Sequence, residues 1–219
     1  MGPTGDALPL TFEDALAAVA AETRRLRAGR SGRVLVGLTG PPGTGKSTFA
    51  EHLVDALGDV AASYVPMDGF HLATVQLERL GRRDRKGAPD TFDVDGYVAT
   101  LSRLAPAHRR RDVYVPDFDR SIEEPVAAGR VVPAVADVVI TEGNYLALWD
   151  DVRPLLDRLY YLDSDRSVRH ARLVARHTAG GRDEAQARHW VGAVDEANAE
   201  RIAATRDRCD RVLMIASPG

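Results

Sequence analysis

The residues best suited to chemistry are concentrated in one stretch, Gly40-Pro41-Pro42-Gly43-Thr44-Gly45-Lys46-Ser47-Thr48. It satisfies every fixed position of G-x-x-x-x-G-K-[ST], a loop whose backbone N–H groups cradle phosphate oxygens. In such a loop Lys46 reaches the β- and γ-phosphates of a nucleoside triphosphate, and the Ser47 hydroxyl ligates Mg²⁺. The mechanism requires the loop to follow a strand and open a helix. Arg33 to Thr39 is a short apolar run that reads as a buried strand. Lys46 to Leu57 reads as a helix with Phe49, Leu53 and Leu57 on one face and Gly58 as its stop. Lysine is scarce elsewhere: the chain has 27 arginines and only two lysines, Lys46 and Lys86. Lys is a compact point charge and Arg a planar fork, so both lysines are candidates for positions where Arg would work poorly, the alternative for either one being composition noise.

Two acidic residues follow predicted strands. Asp68 lies past the strand Val60 to Pro66, in Met67-Asp68-Gly69-Phe70-His71. In a parallel sheet that strand end opens onto the edge that carries the phosphate loop. A carboxylate there could accept the proton of an attacking hydroxyl; an Asp before Gly is equally an ordinary turn residue. Glu142 follows the strand Asp137 to Thr141, where an acid can hold Mg²⁺ or its water shell, or simply face solvent.

Arginines form a third group. On a helix over 165–177, Arg169, Arg172 and Arg176 fall within roughly 60° of one another at about 100° per residue. Like charges at that spacing repel by about 0.2–0.5 kcal/mol per pair, and a bound triphosphate relieves them. Arg182, after Gly180-Gly181, joins from the turn. The segment 165–184 therefore reads as a lid that closes over ATP, or else as a solvated face neutralised by Asp163, Asp165 or Asp183. Lys86, in Arg85-Lys86-Gly87-Ala88-Pro89, sits either in an exposed loop or in a wall of the acceptor side.

The elements that must position these groups alternate. A helix over 12–28 is bounded by Thr11 with Asp14 and by Gly29. Residues 68–92 read as irregular, Asp93 as the cap of a helix to Leu104, Val113–Tyr114 as a short strand and 116–134 as loop. Helices are expected over 150–156 and 184–205, and strands over 158–162 and 211–215. Five apolar strands separated by helices make a parallel sheet covered on both faces, with ligand loops at the strands' C-terminal ends. The expected fold class is α/β: a P-loop kinase, a five-stranded parallel sheet with helices on both faces and a helical lid. The expected organisation is one domain over 1–219, its acceptor side at about 68–120.

Composition narrows the function. Hydrophobic residues are 44% of the 219 and the net charge is −3, which speaks against a polybasic nucleic-acid binder. No apolar run approaches the ~20 residues of a membrane span, and residues 1–10 lack a signal-peptide pattern. The lone Cys209 cannot form an internal disulfide. A cytoplasmic protein is expected. A GTPase base reader Asn-Lys-x-Asp and a transporter Ser-Gly-Gly signature are absent, and Asp93-Val94-Asp95-Gly96 follows no apolar strand. What remains is a kinase. His71, His108, His170, His177 and His189 show no metal spacing and read as surface or packing residues; Trp149, Trp190 and Tyr97 read as core.

Taken in order, the phosphate loop, Met67–His71, Arg85–Pro89, Glu142-Gly143 and Arg172–Arg182 resemble the phosphoribulokinase/uridine kinase/type I pantothenate kinase superfamily. The likeness is strongest to its bacterial "nucleoside/nucleotide kinase family" branch, some of whose members carry a fructose-kinase label. It spans roughly residues 30–216. The resemblance implies transfer of a phosphoryl group from ATP, with Mg²⁺, to an alcohol. Asp68 matches the family's general base, Glu142 its Mg²⁺-associated acid, and Arg172, Arg176 and Arg182 its lid arginines. Pro116-Asp117-Phe118-Asp119-Arg120 is similar to a uridine-kinase segment and places Asp119 near the acceptor. Asn198 resembles a ligand-side position of pantothenate kinases, whose Tyr-Ser-His segment is not matched around Tyr114. His71, Arg85 and Lys86 join the acceptor candidates through their motifs. Expected partners are ATP and a small polar acceptor (sugar, polyol or nucleoside-like), with a homodimer as the assembly to test and neither nucleic acid nor membrane. Two rival readings are a nucleoside monophosphate kinase, using Arg82, Arg83, Arg85 and Lys86 on an acceptor phosphate, and a non-catalytic nucleotide-binding regulator.

Overall fold

Six consecutive residues, Val34–Thr39, form β1, and all six are buried. A strand buried on both faces belongs in the middle of a sheet. In the computed structural model, which describes residues 9–105 and 111–216, β1 lies between two parallel neighbours, β5 (Val138–Glu142) and β6 (Arg158–Asp163). β2 (Ala62–Pro66) pairs with β5, and β7 (Arg211–Met214) with β6, giving the all-parallel order β2-β5-β1-β6-β7. His108 lies outside the described residues.

Alternation along β1 sorts the core into two layers. Val34, Val36 and Leu38 pack with Ala15, Val19, Phe49 and Leu53 of α1 (Phe12–Ala28) and α2 (Lys46–Ala56). Leu35 faces the opposite layer, with Tyr97 and Leu101 of α4 (Val94–Leu104), Ile202 of α7 (Glu196–Ala203), and Tyr145 and Val152 from the β5–β6 connection. Thr11 caps α1 by accepting the Asp14 N–H at 3.0 Å, as its sequence implies. Asp93 caps α4 by accepting from Gly96 N at 2.9 Å, which explains the D-x-x-G pattern there without a nucleotide. Inside the second layer Tyr97 donates to Thr141 Oγ1 (2.6 Å), which donates to the Val65 carbonyl (2.7 Å). The polar chain locks α4 to β5 and β2. Arg33, fully buried, donates to the carbonyls of Ala136, Leu104 and Pro133. Its cation sits at the C-terminal end of α4, where the helix dipole favours it.

The structure departs from the sequence expectation in three places. Residues 113–134 are mostly not loop: β3 (Val113–Asp119) and β4 (Glu124–Val132) form an antiparallel hairpin outside the main sheet. Pro116, Pro125 and the largely exposed β4 hide the alternation that betrays a strand. The stretch expected as a helix over 150–156 is turns with one 3₁₀ segment, Arg153–Leu155, where Pro154 lacks the N–H a helix interior needs. Residues 68–92 hold α3 (Thr74–Arg79) and three short 3₁₀ turns. The segment expected as a lid is α5 (Arg166–Ala179) and the turn after it; α6 (Glu184–Trp190) follows and runs through a π-turn at Val191–Asp195 into α7. No helix among the described residues is long and apolar enough to cross a membrane.

Candidate active site

The C-terminal edge of the sheet gathers the chemistry. β1 ends at the phosphate loop, β2 at Pro66 two residues before Asp68, and β5 at Glu142 itself. The register places Leu38, Glu142 and Pro66 side by side across the three strands. The loop needs its glycines. Gly40 has φ +148°, and a Cβ there would stand 2.0 Å from the Leu162 carbonyl oxygen. Gly45, the N-cap of α2, is left-handed at φ +89°, a conformation that costs side-chain-bearing residues energy. Lys46 is buried and donates Nζ to the carbonyls of Gly40 (2.9 Å) and Pro41 (3.0 Å). Burial pushes its pKa down to about 8, against the opposing pull of Glu142 and Asp68.

Glu142 is 3% exposed, and its Oε1 accepts from the Tyr64 hydroxyl at 2.7 Å. Burial, then the Asp68 charge, push its pKa up, with Lys46, Tyr64 and Ser47 pulling the other way. Asp68 lines the same cleft as Glu142. Arg120 donates to its Oδ2 at 2.8 Å, and His71 Nε2 stands 4.0 Å from Oδ1. Burial works to raise the Asp68 pKa, but the cationic side chains of Arg120, Arg176 and Lys46 oppose it, and the carboxyl is held below the usual carboxylate range. The two acids thus differ: Asp68 is held ionised, whereas Glu142 is a buried carboxylate short of positive charge.

These groups share one cleft of about 570 Å³, within the usual range for small-molecule sites. Seven cationic side chains line it against four carboxylates, which suits a polyanionic ligand. Pro42, Gly43, Gly45, Lys46, Ser47 and Thr48 form its phosphate-loop wall, while Gly40, Pro41 and Thr44 shape the loop from behind. Arg172 and Arg176 reach the cleft from α5, and Arg182 from the following turn. Arg169, grouped with them by helical spacing, does not: it is buried and donates to the Ser164 carbonyl. His71, Lys86 and Asn198 also line the cleft.

Two acceptor candidates lie elsewhere. Arg85 pairs with Asp90 at 2.7 Å, off the cleft. Asp119 turns back to accept from Ser121 N and Oγ, holding the hairpin turn. The residue of that segment which does reach the cleft is Arg120. Sequence reasoning also overlooked Tyr64, which holds Glu142, and the trio His177, Asp195 and Trp190. Trp190 is not core: it lines the cleft and stacks under the Arg182 guanidinium, 4.1 Å from ring centroid to Cζ. His177 is more than packing, with Nε2 2.8 Å from Asp195 and Nδ1 2.7 Å from Arg182.

The donor set fits Mg²⁺. Ser47 and Glu142 offer the hard oxygens it prefers, and both line the cleft beside the phosphate loop. Among the described residues no cluster of three or more His, Cys, Asp or Glu could hold a metal unaided. Mg²⁺ sites completed by substrate phosphates need no such cluster.

The geometry has counterparts. Residues 35–215 match the profile of the Phosphoribulokinase / Uridine kinase family. The chain is 31% identical to the YggC protein of Escherichia coli over 195 residues, 85% of this chain and 80% of that one. It is 38% identical over 161 residues to C227.14 of Schizosaccharomyces pombe, a provisionally assigned uridine kinase, with 68% of each chain covered. A crystal structure of a provisionally assigned fructose transport system kinase from Silicibacter sp. TM1040 superposes with a TM-score of 0.81 at 36% identity, covering 90% of this chain and 98% of that one. With its P-loop, parallel sheet and matched profile, the chain belongs to the phosphoribulokinase/uridine kinase family and is a kinase.

Proposed function

We propose that the protein transfers the γ-phosphoryl group of ATP to a hydroxyl of a small polar metabolite of the sugar, polyol or nucleoside-like class. One observation carries this reading: an ionised carboxylate, Asp68, lines the same cleft as the phosphate-loop lysine, the two following β2 and β1 on either side of β5. Phosphoryl transfer asks mainly for positioning and charge stabilisation. The loop N–H groups and Lys46 hold the β- and γ-phosphates. Asp68 Oδ1, the oxygen not held by Arg120, orients the acceptor hydroxyl and takes its proton. Arg172, Arg176 and Arg182, on the α5 lid and its turn, stabilise charge on the transferring group and exclude water. Ser47 and Glu142 would hold Mg²⁺, which when bound neutralises the phosphate oxygens. His71, Arg120 and Asn198 shape the acceptor side.

The monophosphate-kinase alternative is less favoured, although Arg83 and Lys86 of its set line the cleft. Arg82 and Arg85 both pair with Asp90, and Arg83 with Glu78 at 2.6 Å. No cluster of free cations waits for an acceptor phosphate among these residues. The test is an ADP-release screen over sugars, polyols, nucleosides, pantothenate and phosphosugars, run with the wild type and Asp68→Asn. Acceptor-dependent ADP release is expected in the wild type, reduced about 10²–10⁴-fold in the variant, with ATP binding retained. Near-normal turnover by the variant rejects the base role. ATP binding with no acceptor-dependent release across the panel favours the regulator.

A further inference from the structure

Lys86 is one of two lysines in a chain with 27 arginines, and its surroundings explain why an arginine does not stand there. Three oxygens converge on Nζ: the Thr74 hydroxyl at 3.1 Å, the Glu123 carbonyl, and the Glu124 carboxylate as an ion pair at 3.6 Å. An ammonium has three donors pointing to the corners of a compact tetrahedron, whereas a guanidinium is a flat fork. The partners are not scattered. Glu123 and Glu124 belong to the β3–β4 turn, and Thr74 opens α3 and donates its backbone N–H to the Glu124 carboxylate at 3.0 and 3.1 Å. Glu123 has a left-handed backbone at φ +54°, a strained state for a residue with a side chain that persists only when its surroundings enforce it. Lys86 holds the carbonyl of that residue.

The same turn carries Arg120, whose guanidinium holds Asp68 Oδ2 at 2.8 Å. Lys86 and Arg120 flank one ring, Phe118, at 5.7 and 5.5 Å from its centroid. The hairpin stands outside the main sheet; the bonds from Ser121 to Asp119 hold the turn internally but do not tie it to α3. We propose that Lys86 is a positioning residue, not an acceptor ligand: it bolts the 119–124 turn to α3 and so sets Arg120 against Asp68, leaving Asp68 Oδ1 for the acceptor hydroxyl. The functional half of this inference rests on Asp68 being the base; the structural half does not.

The experiment therefore has two arms. The first needs no acceptor. In ¹⁵N-labelled protein the side-chain guanidinium signals of Arg120, assigned by their loss in Arg120→Gln, report whether the group is held. They are expected to be distinct and rotationally restricted in the wild type. Restriction is lost in Asp68→Asn, and equally in Lys86→Met and Lys86→Arg, because the fork cannot reach the three converging oxygens. Arg120 signals unchanged in Lys86→Met overturn the proposal. If Lys86→Met disturbs amide signals far from residues 74–124, Thr74→Val decides: it keeps the lysine, removes one acceptor and is expected to loosen Arg120 partially, and an unchanged Arg120 again overturns the idea. The second arm uses the acceptor found by ADP release. Lys86→Met and Arg120→Gln are each expected to lower kcat by roughly 10- to 100-fold, and the double variant to be no worse than the poorer single. Losses that multiply mean that Lys86 acts independently of Arg120, which refutes the linkage. Failure of the kinase reading would appear in the screen and leave the Arg120 signals untouched.

Discussion

His71 is a histidine that its surroundings keep neutral. Its ring stacks on Phe92 at 3.9 Å, and burial, helped by Lys86 and Arg120, pushes its pKa down to about 4 against the pull of Asp68. In the unfolded chain a histidine titrates near 6.5. Below about pH 6.5 the unfolded state therefore binds a proton that the folded state refuses, and stability falls with pH until the folded pKa is reached. A difference of that size corresponds to up to about 3 kcal/mol. Urea unfolding at pH 7 and pH 4.5 should show the wild type losing roughly 2–3 kcal/mol more than His71→Gln; equal losses would mean that the ring is not held neutral. The sequence offered His71 only as the last residue of a motif. Its stacking partner is 21 positions away, and no local pattern announces that contact. Lys46, by contrast, was legible in its placement because that is set by immediate neighbours: glycines in the loop, a strand before and a helix after.

At the scale of elements the same rule holds. β1, β5 and β6 announce themselves as apolar runs because the sheet buries both of their faces. The β3–β4 hairpin does not, since one side is wet and its strands carry prolines, so Arg120, which depends on that hairpin, was invisible as a site residue. The long C-terminal helix was legible as a helix but not as an interrupted one. At its π-turn the Glu196 N–H bonds to the Val191 carbonyl, five residues back, a geometry that recurs at functional sites. Here it carries Asp195, which accepts from His177 Nε2; His177 Nδ1 then accepts from Arg182, and Arg182 stacks on Trp190. The turn after α5 is thereby tethered to α6 and the π-turn through one arginine. Cation–π stacking is worth about 0.5–2 kcal/mol. On the reading that Arg182 binds ATP, Trp190→Ala should raise the ATP KM by roughly 2- to 30-fold, and Trp190→Phe should restore most of it. A KM for ATP that Trp190→Ala leaves unchanged would detach Arg182 from the nucleotide.

For the whole molecule, the proposed roles divide one cleft: the phosphate loop and the α5 arginines take the nucleotide, and Asp68, His71 and Arg120 take the acceptor. Nucleotide binding and acceptor chemistry should therefore separate by mutation. A ligand that binds only the folded state stabilises it by about 2.7 kcal/mol at a hundredfold excess over Kd. In a chain of this size each kcal/mol raises Tm by about 2–4 °C, so a non-hydrolysable ATP analogue with Mg²⁺ should raise Tm by roughly 5–10 °C. Lys46→Ala removes the cation that faces the phosphates and should abolish most of that shift while the unliganded protein still melts cooperatively. Asp68→Asn, among the acceptor residues, should keep the shift in full and lose only transfer. Calorimetric scans of the three proteins with and without the analogue measure both effects. A shift that survives in Lys46→Ala would place the triphosphate somewhere other than the loop. A shift lost in Asp68→Asn would mean that the two sets of residues do not work as separate halves.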